Sequence, residues 1–363
     1  MPFLNILKMP SKNSVTIASA GSGKTTGIVE DVLAHPDVSA LITTFTLSNI
    51  AEVKRKFIEL NGFVPANVTI LPWFTFVLRD LVRPYQNHFF RPRRTRSINL
   101  VAGRSDMYAR KSDKQRYFFG KSPDIYSDKI SEFALNCNDA SDGKSLARLE
   151  RLYQHVYIDE VQDLAGYDLD LLKLFLGSKF DVTLIGDHRQ ATLATNQSPK
   201  YKKYRYAGII DLFKIWEAEG LCELQFKAIS HRCRQEICDF SNQIFPDDLG
   251  AESTNETMTG HDGVFIVPTA EVSSYISEFS PQVLRYNKNS KCEGFPAMNF
   301  RISKGLTFER TLIFPHKGIQ EYLTGGDLSK LKEPHLLYVA VTRARQSVAF
   351  VFDEVVNVPN ITG

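Results

Sequence analysis

The sequence contains no run of about 18 apolar residues, which excludes a membrane-spanning helix. Its opening residues, MPFLNILK, are too short and too early charged for a secretory signal peptide, so we expect a cytoplasmic protein. The cysteines are scattered, odd in number and lack a C-x-x-C pair, which favours reduced thiols over disulfides or a zinc site. They are Cys137, Cys222, Cys233, Cys238 and Cys292. The eight histidines show no metal-ligand spacing and are expected to be structural.

Net charge is also small, at +3, but the basic residues are unevenly placed. Residues 91–116 contain nine Lys and Arg residues and two Asp residues, which makes this basic segment +7 and leaves −4 for the rest of the chain. The segment suggests a polyanionic partner, and a solvated charged face is the alternative. The remaining composition, 43% hydrophobic and 23% charged, excludes a disordered or low-complexity chain. A chain of 363 residues is expected to form about two domains.

Strand and helix patterns alternate along much of the chain, which indicates parallel sheets with crossover helices. The expected strands lie at residues 14–19, 40–45, 155–160 and 181–187, and in a second block at 221–229, 263–268, 283–287, 297–302, 310–315 and 347–353. Helices are expected at about 27–34 and 50–60. We predict an α/β fold with a first domain at 1–84 and 153–205, an inserted, mainly helical basic subdomain at 85–152, and a second domain at 206–363.

Residues 18–25 read ASAGSGKT between an expected strand and an expected helix, the position of a phosphate-binding loop. Gly21 and Gly23 let backbone N–H groups turn inward around phosphate oxygens. Lys24 is expected to hold the β- and γ-phosphates, and Thr25 to place a hydroxyl on Mg²⁺. Ala18 stands where the usual pattern has its first glycine, and a glycine-rich turn that binds nothing is the alternative. The expected nucleotide contacts are Ala20, Gly21, Ser22, Gly23, Lys24, Thr25 and Thr26.

Residues 156–160 read VYIDE, an apolar strand that ends in two carboxylates. Ligands of open α/β sheets bind at the carboxyl ends of the strands, where this pair is expected to lie. Asp159 is expected to hold Mg²⁺, and Glu160 to orient or deprotonate the attacking water. A solvated acidic pair is the alternative for this motif alone, but ATP hydrolysis needs both the loop and the pair.

The segment DEVQD at residues 159–163 resembles the D-E-x-Q-D signature of superfamily 1 helicases of the UvrD/Rep type, which include PcrA-like enzymes. Further segments follow in the family's order over nearly the whole chain. They are TTFT at 43–46 with AEVKR at 51–55, residues 69–78, GDHRQ at 186–190, SHRCR at 230–234, ISKGLTF at 302–308 and YVAVTRAR at 338–345. The last two segments are the most specific.

The resemblance implies two RecA-like domains, with ATP and Mg²⁺ bound between them and single-stranded DNA crossing both. It implies that Gln190 senses the γ-phosphate and that Arg232 and Arg343 are arginine fingers, whereas surface salt bridges are their alternative role. His231 stands where the family has an adenine-stacking tyrosine, and Gly305 lies in a matched segment expected to contact the nucleotide. The implied activity is ATP-dependent, 3′-to-5′ translocation or unwinding on single-stranded or partly duplex DNA.

Aromatic and basic residues are the candidate contacts to nucleic acid. Phe45, Thr46, Trp73 and Phe74 lie where the resembling family meets single-stranded DNA, and Ser303 lies in the matched segment 302–308. Aromatic faces stack bases without reading sequence, but an ordinary core role is the alternative for these rings. Residues 198–206 interleave Lys and Arg with Tyr, as expected of a single-strand groove. The candidates outside the matched segments are Tyr201, Lys202, Tyr204, Arg93, Arg94 and Arg96.

The sequence departs from the family pattern in ways that keep other functions open. No glutamine precedes the phosphate loop to read adenine, and the large second insertion expected between residues 232 and 304 is absent or reduced to a loop. We therefore expect a compact motor core. One alternative is an ATP-gated nucleic-acid-binding subunit that serves a partner such as a nuclease in a repair, mobile-element or defence complex. The other is a P-loop nucleotide kinase, which would leave residues 302–308 and 338–345 unexplained.

Overall fold

The computed structural model describes residues 12–105 and 108–361, so the opening residues used for the targeting prediction and Asp106 of the basic segment lie outside the described range. The described chain forms two compact units. The first contains the residues up to Ile17, Lys24–His188 and Leu193–Gln225, and the second contains Ala18–Gly23, Arg189–Thr192 and the residues from Phe226 onward. Both units are α/β with parallel strand pairs, as the alternating pattern predicted.

The first unit is built on a six-stranded sheet with nine α-helices around it in the described residues. The strands that begin in this unit are β1 (Ser14–Ala18), β2 (Ala40–Thr44), β3 (Val68–Pro72), β4 (Ile98–Asn99), β5 (Ile125–Tyr126), β6 (His155–Ile158), β7 (Asp181–Gly186) and β8 (Glu223–Lys227). The helices are α1 (Lys24–Ala34), α2 (Leu47–Asn61), α3 (Trp73–Phe76), α4 (Gln86–Phe89), α5 (Lys114–Phe118), α6 (Ile130–Ala140), α7 (Lys144–Leu152), α8 (Tyr167–Leu176) and α9 (Ile209–Ala218). A π-helical segment, Val77–Val82, continues α3.

Strand direction in this sheet decides where the candidate site residues lie. The sheet order is β3-β2-β6-β7-β1-β8, and the pairs from β3 to β1 are all parallel. The residues that follow parallel strands meet at one edge of a sheet, so Phe45, Asp159 and Asp187 lie at the carboxyl edge after β2, β6 and β7. All five residues of β2 are buried, as expected for a central strand covered on both faces.

The inserted segment 85–152 packs into the core of the first unit. It contains four helices, α4 to α7, and the short parallel pair β4–β5, but most of the basic segment lies between α4 and α5 without a helix. Phe133 on α6 is fully buried, and its ring centroid lies 4.9 Å from that of Phe118 and 5.5 Å from that of Phe119. These rings belong to the same hydrophobic cluster as Trp73 and Phe175, so insertion and sheet share one core.

A buried carboxylate joins three parts of the first unit. Asp168 on α8 is 1% exposed and accepts hydrogen bonds from the indole Nε1 of Trp73 at 3.0 Å and from the hydroxyls of Ser131 and Thr195. Burial raises the pKa of Asp168, and the three donors act against this shift because they favour the charged form. The carboxylate therefore ties α3, the inserted helix α6 and the loop at residue 195 to α8.

We expect Asp168→Ala to lower the free energy of unfolding by roughly 3 kcal/mol, because three buried donors would lose their acceptor. Chemical denaturation measures the effect. Asp211→Ala on the exposed face of α9 is the matched control and should change stability by less than about 0.5 kcal/mol. Equal effects of the two substitutions would contradict the central role of Asp168.

The second unit has a separate five-stranded sheet of order β11-β15-β14-β12-β13, in which every pair is parallel. Its strands are β9 (Ile229–Ser230), β10 (Glu252–Ser253), β11 (Gly263–Val267), β12 (Gln282–Arg285), β13 (Met298–Asn299), β14 (Phe308–Phe314) and β15 (Ala344–Val351). Its helices are α10 (Gln235–Ile244), α11 (Val272–Phe279), α12 (Phe300–Ser303), α13 (Lys317–Gly325) and α14 (Pro334–Val341). Residues on both sides of the sheet are buried, including Phe240, Leu312 and Phe350.

Two sequence-based boundaries differ from the structure. The strand predicted at 297–302 is wrong over most of its length, because β13 has two residues and α12 begins at Phe300, whose fully buried side chain joins the core. The first unit extends to Gln225, beyond the expected boundary after residue 205. Helix α9 accounts for this extension, since Phe213 and Trp216 are buried in the core of the first unit. None of the described helices combines the length and apolar character that crossing a bilayer requires.

Candidate nucleotide-binding site and nucleic-acid contacts

The loop that follows β1 adopts backbone conformations that require glycine. Gly21 and Gly23 have φ angles of +77° and +75°, in the left-handed region. A Cβ on Gly21 would lie 2.5 Å from Cβ of Arg232 and 2.8 Å from Oγ of Ser230, within the second unit. The Ser22 hydroxyl oxygen is buried and has no hydrogen-bond partner among the described residues. A phosphate oxygen would supply that partner, so the loop fits the group that the sequence predicts.

Lys24 and Thr25 begin helix α1, where the direction of the backbone N–H groups and the helix dipole favour an anion. The Thr25 hydroxyl donates to Oδ2 of Asp159 at 3.2 Å, and both residues belong to the first unit. A hydroxyl and a carboxylate are the hard oxygen ligands that Mg²⁺ prefers, so these two residues suit the predicted metal. Thr26 lies half-buried in the same helical turn.

Asp159 is 4% exposed at the end of β6. Burial and the neighbouring charge of Glu160 raise the pKa of its carboxyl, and the cation of Lys24 opposes the shift. Oδ1 of Asp159 accepts a hydrogen bond from the backbone N–H of Glu160 at 2.9 Å. The first unit therefore brings together Lys24, Thr25, Asp159 and Glu160, with an acidic centre beside a cation.

Sequence reasoning did not assign a role to Gln162, although it stands in the quoted DEVQD segment. Its side chain is 2% exposed and contacts both Glu160 and the backbone of Asp187. The signal that could have identified it is its position two residues after the expected catalytic carboxylate.

The second unit holds a separate group of predicted residues. Arg343 is 1% exposed, and its Nη2 donates to Oε1 of Gln190 at 2.8 Å. Arg232 donates from Nη1 to the carbonyl of Thr342 at 3.1 Å. His231 donates its backbone N–H to the carbonyl of Gly21 at 2.9 Å. Gly305 has a φ of +84° in the exposed segment after α12.

Arg189 is a second residue that sequence reasoning missed. It is buried, its Nη2 donates to the hydroxyl of Ser19 at 2.8 Å, and its guanidinium carbon lies 4.9 Å from the ring centroid of Tyr338. All three residues belong to the second unit. The contact links the start of the loop after β1 to the segment 338–345, and the position of Arg189 in GDHRQ was the available signal.

The predicted aromatic contacts to nucleic acid divide into half-buried and fully buried residues. Phe45 and Phe74 are half-buried and form an edge-to-face pair with centroids 5.5 Å apart. Thr46 caps helix α2, because its hydroxyl accepts from the backbone N–H of Asn49 at 3.1 Å. Trp73, by contrast, is 1% exposed and hydrogen-bonded to Asp168, so it has no free face on which a base could stack.

Ser303 also differs from its expected role. Its side chain is fully buried, and its hydroxyl donates to the carbonyl of Phe300 at 2.8 Å within α12. The hydroxyls and rings that remain accessible to a strand are therefore fewer than the sequence suggested. We retain Phe45, Thr46 and Phe74 as candidate contacts and correct the assignments of Trp73 and Ser303 to packing roles.

Residues 198–206 place tyrosines against lysines of the same segment. The Tyr201 hydroxyl donates to Asp170 at 3.0 Å, and Lys200 lies 5.2 Å from the Tyr201 ring centroid. Lys203 lies 4.6 Å from the ring centroid of Tyr204, and both tyrosines pack partly against the core. Lys202 is exposed, as are two basic-segment residues, Arg94 and Arg96, whereas Arg93 is half-buried.

Comparisons with known proteins find solved structures that resemble this chain but identify no family for it. The sequence matches no protein-family model and no curated protein. Structures of Arterivirus nonstructural protein 10 (helicase), without and with DNA, are 16% identical with TM-scores of 0.48, and the matches cover 94% of this chain and 60% and 61% of those chains. PRRSV nsp10 (helicase) is 17% identical with a TM-score of 0.23, covering 94% of this chain and 55% of that one.

The chain thus spans about three fifths of the length of these viral proteins. Identities below 25% and TM-scores below 0.5 make this likeness too weak to assign a family or a function.

We expect Gly21→Ala to weaken nucleotide binding at least about tenfold, because the added Cβ would collide with Arg232 and Ser230 and strain the left-handed loop. Titration with a fluorescent ATP analogue measures the dissociation constant. The matched control is Gly27→Ala inside α1, where a Cβ meets nothing within 4 Å. It should bind normally and be more stable by about 0.5–1 kcal/mol. Normal binding by Gly21→Ala would contradict the loop assignment.

Proposed function

We propose that this protein is an ATP hydrolase that nucleic acid stimulates. We propose that it uses ATP to move along single-stranded DNA, as superfamily 1 helicases of the UvrD/Rep type do. The observation that carries the proposal is the hydrogen bond of Thr25 to Asp159 beside Lys24. It joins the first turn after a phosphate-binding loop to the carboxylate that ends β6. A glycine-rich turn without a ligand would need no buried acid at this position.

Each residue of this group has a distinct task in the proposed hydrolysis. Lys24 and the N–H groups at the start of α1 bind the phosphates, and the Ser22 hydroxyl gains its missing partner there. Thr25 and Asp159 hold Mg²⁺, which supplies positive charge to the transferred phosphoryl group. Glu160 orients the attacking water and accepts its proton.

The second unit supplies the residues proposed to respond to the terminal phosphate. The family resemblance assigns that response to Gln190, Arg232 and Arg343. The hydrogen bond between Arg343 and Gln190 supports a joint role, because a movement of either side chain must change this bond. An arginine that is 1% exposed is also poorly explained as a surface salt-bridge residue.

Contacts to nucleic acid are proposed at the edge of the first sheet and on the basic segment. Phe45 and Phe74 are only half-buried, and Phe45 is followed by Thr46, which caps helix α2. Such rings stack bases at about 1–3 kcal/mol each without sequence preference. Arg94 and Arg96 are exposed on the non-helical part of the basic segment, where guanidinium groups can contact phosphates.

Single-stranded DNA is expected to stimulate ATP hydrolysis by the purified chain. The substitution Lys24→Ala is expected to lower kcat at least about 100-fold, because the phosphates lose their cation. A coupled phosphate-release assay with and without DNA measures both. Lys214→Ala removes an equal charge from the exposed face of α9 and should leave kcat unchanged. Hydrolysis indifferent to DNA would favour the nucleotide-kinase alternative, and normal turnover by Lys24→Ala would overturn the loop assignment.

Replacing Arg93, Arg94 and Arg96 together by Ala is expected to weaken DNA binding and its salt dependence. Each lost phosphate contact flattens the slope of log K against log salt by about 0.7 on a single strand, so the triple change should flatten it by about 2. Fluorescence anisotropy over a salt series measures the slope. A charge-matched control replaces the exposed residues Lys179, Lys214 and Lys317. An unchanged slope in the Arg variant would mean that the basic segment is a solvated charged face and does not contact DNA.

A further inference from the structure

We infer that Gln162 is a positioning residue that holds the carboxylate of Glu160 to the backbone at the end of β7. The inference deepens the proposed function and rests on it, because Glu160 matters only if the protein hydrolyses ATP. Its basis is a chain of contacts inside the first unit, from Glu160 through Gln162 to Gly186 and Asp187.

The amide of Gln162 has a hydrogen bond on each side. Nε2 donates to Oε2 of Glu160, and Oε1 accepts from the backbone N–H of Asp187 at 3.1 Å. The amide orientation follows from its neighbours, since a backbone N–H must face the oxygen and a carboxylate must face the NH₂ group. With the side chain 2% exposed, water cannot readily replace either bond.

The end of β7 is shaped to admit this amide. A Cβ on Gly186 would lie 2.2 Å from Oε1 of Gln162 and 3.0 Å from Cγ1 of Val161. The first distance is far below any real contact, so a side chain at residue 186 would displace the amide. The absence of a side chain at 186 therefore lets Gln162 reach the N–H of Asp187.

Glu160 needs such support because its backbone is strained. Its φ of +57° is in the left-handed region, which costs a non-glycine residue stability unless the surroundings enforce it. Its N–H is held by Oδ1 of Asp159 at 2.9 Å, and its carboxylate is held by Gln162. Backbone and side chain are thus fixed by different partners. A displacement of a catalytic group by about 1 Å can cost about 100-fold in rate.

Gln162→Glu tests the positioning role selectively. The new side chain has the same length and still accepts from the Asp187 N–H, but it repels the Glu160 carboxylate instead of donating to it. We expect kcat for DNA-stimulated hydrolysis to fall about 10- to 100-fold, while KM for ATP and the dissociation constant of a fluorescent ATP analogue change less than about threefold. Gln320→Glu, an equal charge change on an exposed residue of α13, should leave kcat unchanged.

A double-mutant cycle distinguishes positioning from a general loss of structure. In a Glu160→Gln background, Gln162→Glu should cause no further fall in the single-turnover rate, because the group that it positions is already removed. A further fall equal to that in the wild type would mean that Gln162 does not act through Glu160, and it would overturn the inference.

A steric cycle tests the contact without relying on hydrolysis. Gly186→Ala should lower Tm by a few degrees, and adding Gln162→Ala should recover part of the loss, because the colliding amide is gone. No recovery would contradict the Gln162–Gly186 contact.

If the wild type hydrolyses no ATP with DNA present, the proposed function fails and the inference with it. If the wild type is active and Gln162→Glu retains kcat within about twofold, the inference alone is overturned.

Discussion

Parallel pairing in the first sheet is the constraint on which the candidate site depends. β6 pairs with β2 on one side and β7 on the other, so Asp159 and Asp187 leave neighbouring strands at the same edge. A slip of one residue in either pairing would exchange the side chains packed on the two covered faces of these strands, so the burial of β2 and β6 holds the register. The hydrogen bond between Asp159 and Thr25 is well supported, because the parallel sheet fixes the position of Asp159 and helix α1 fixes that of Thr25.

Unusual backbone conformations recur in the candidate site. Gly21 and Gly23 have positive φ angles, and so does Glu160, which is not a glycine. The conformation of Glu160 costs on the order of 1–3 kcal/mol, which its hydrogen bonds to Asp159 and Gln162 help to offset. The same two bonds aim a carboxylate whose direction would otherwise be variable. Strain and positioning are thus two consequences of one local arrangement.

Several sequence-based assignments differ from the structure for a common reason. Trp73 and Phe74 are adjacent and both aromatic, yet Trp73 is buried on Asp168 whereas Phe74 is half-buried against Phe45. Adjacent residues in a helix point in different directions, and only the packing of α8 and α6 shows which side is the core. Helix α9 is a second example. Its sequence shows an apolar face, but only the tertiary contacts show that this face packs in the first unit.

The sequence by itself determined the α/β class, the order of strand, loop and helix, and the glycine-rich composition of the loop after β1. These depend on local periodicity and on residue types with special backbone or charge, which a single segment displays in full. Only the tertiary structure decided which aromatic rings are accessible, where the first unit ends, and that Gln162 meets both Glu160 and the end of β7. Those features arise from contacts between residues remote in sequence, whose distances and burial no local pattern contains.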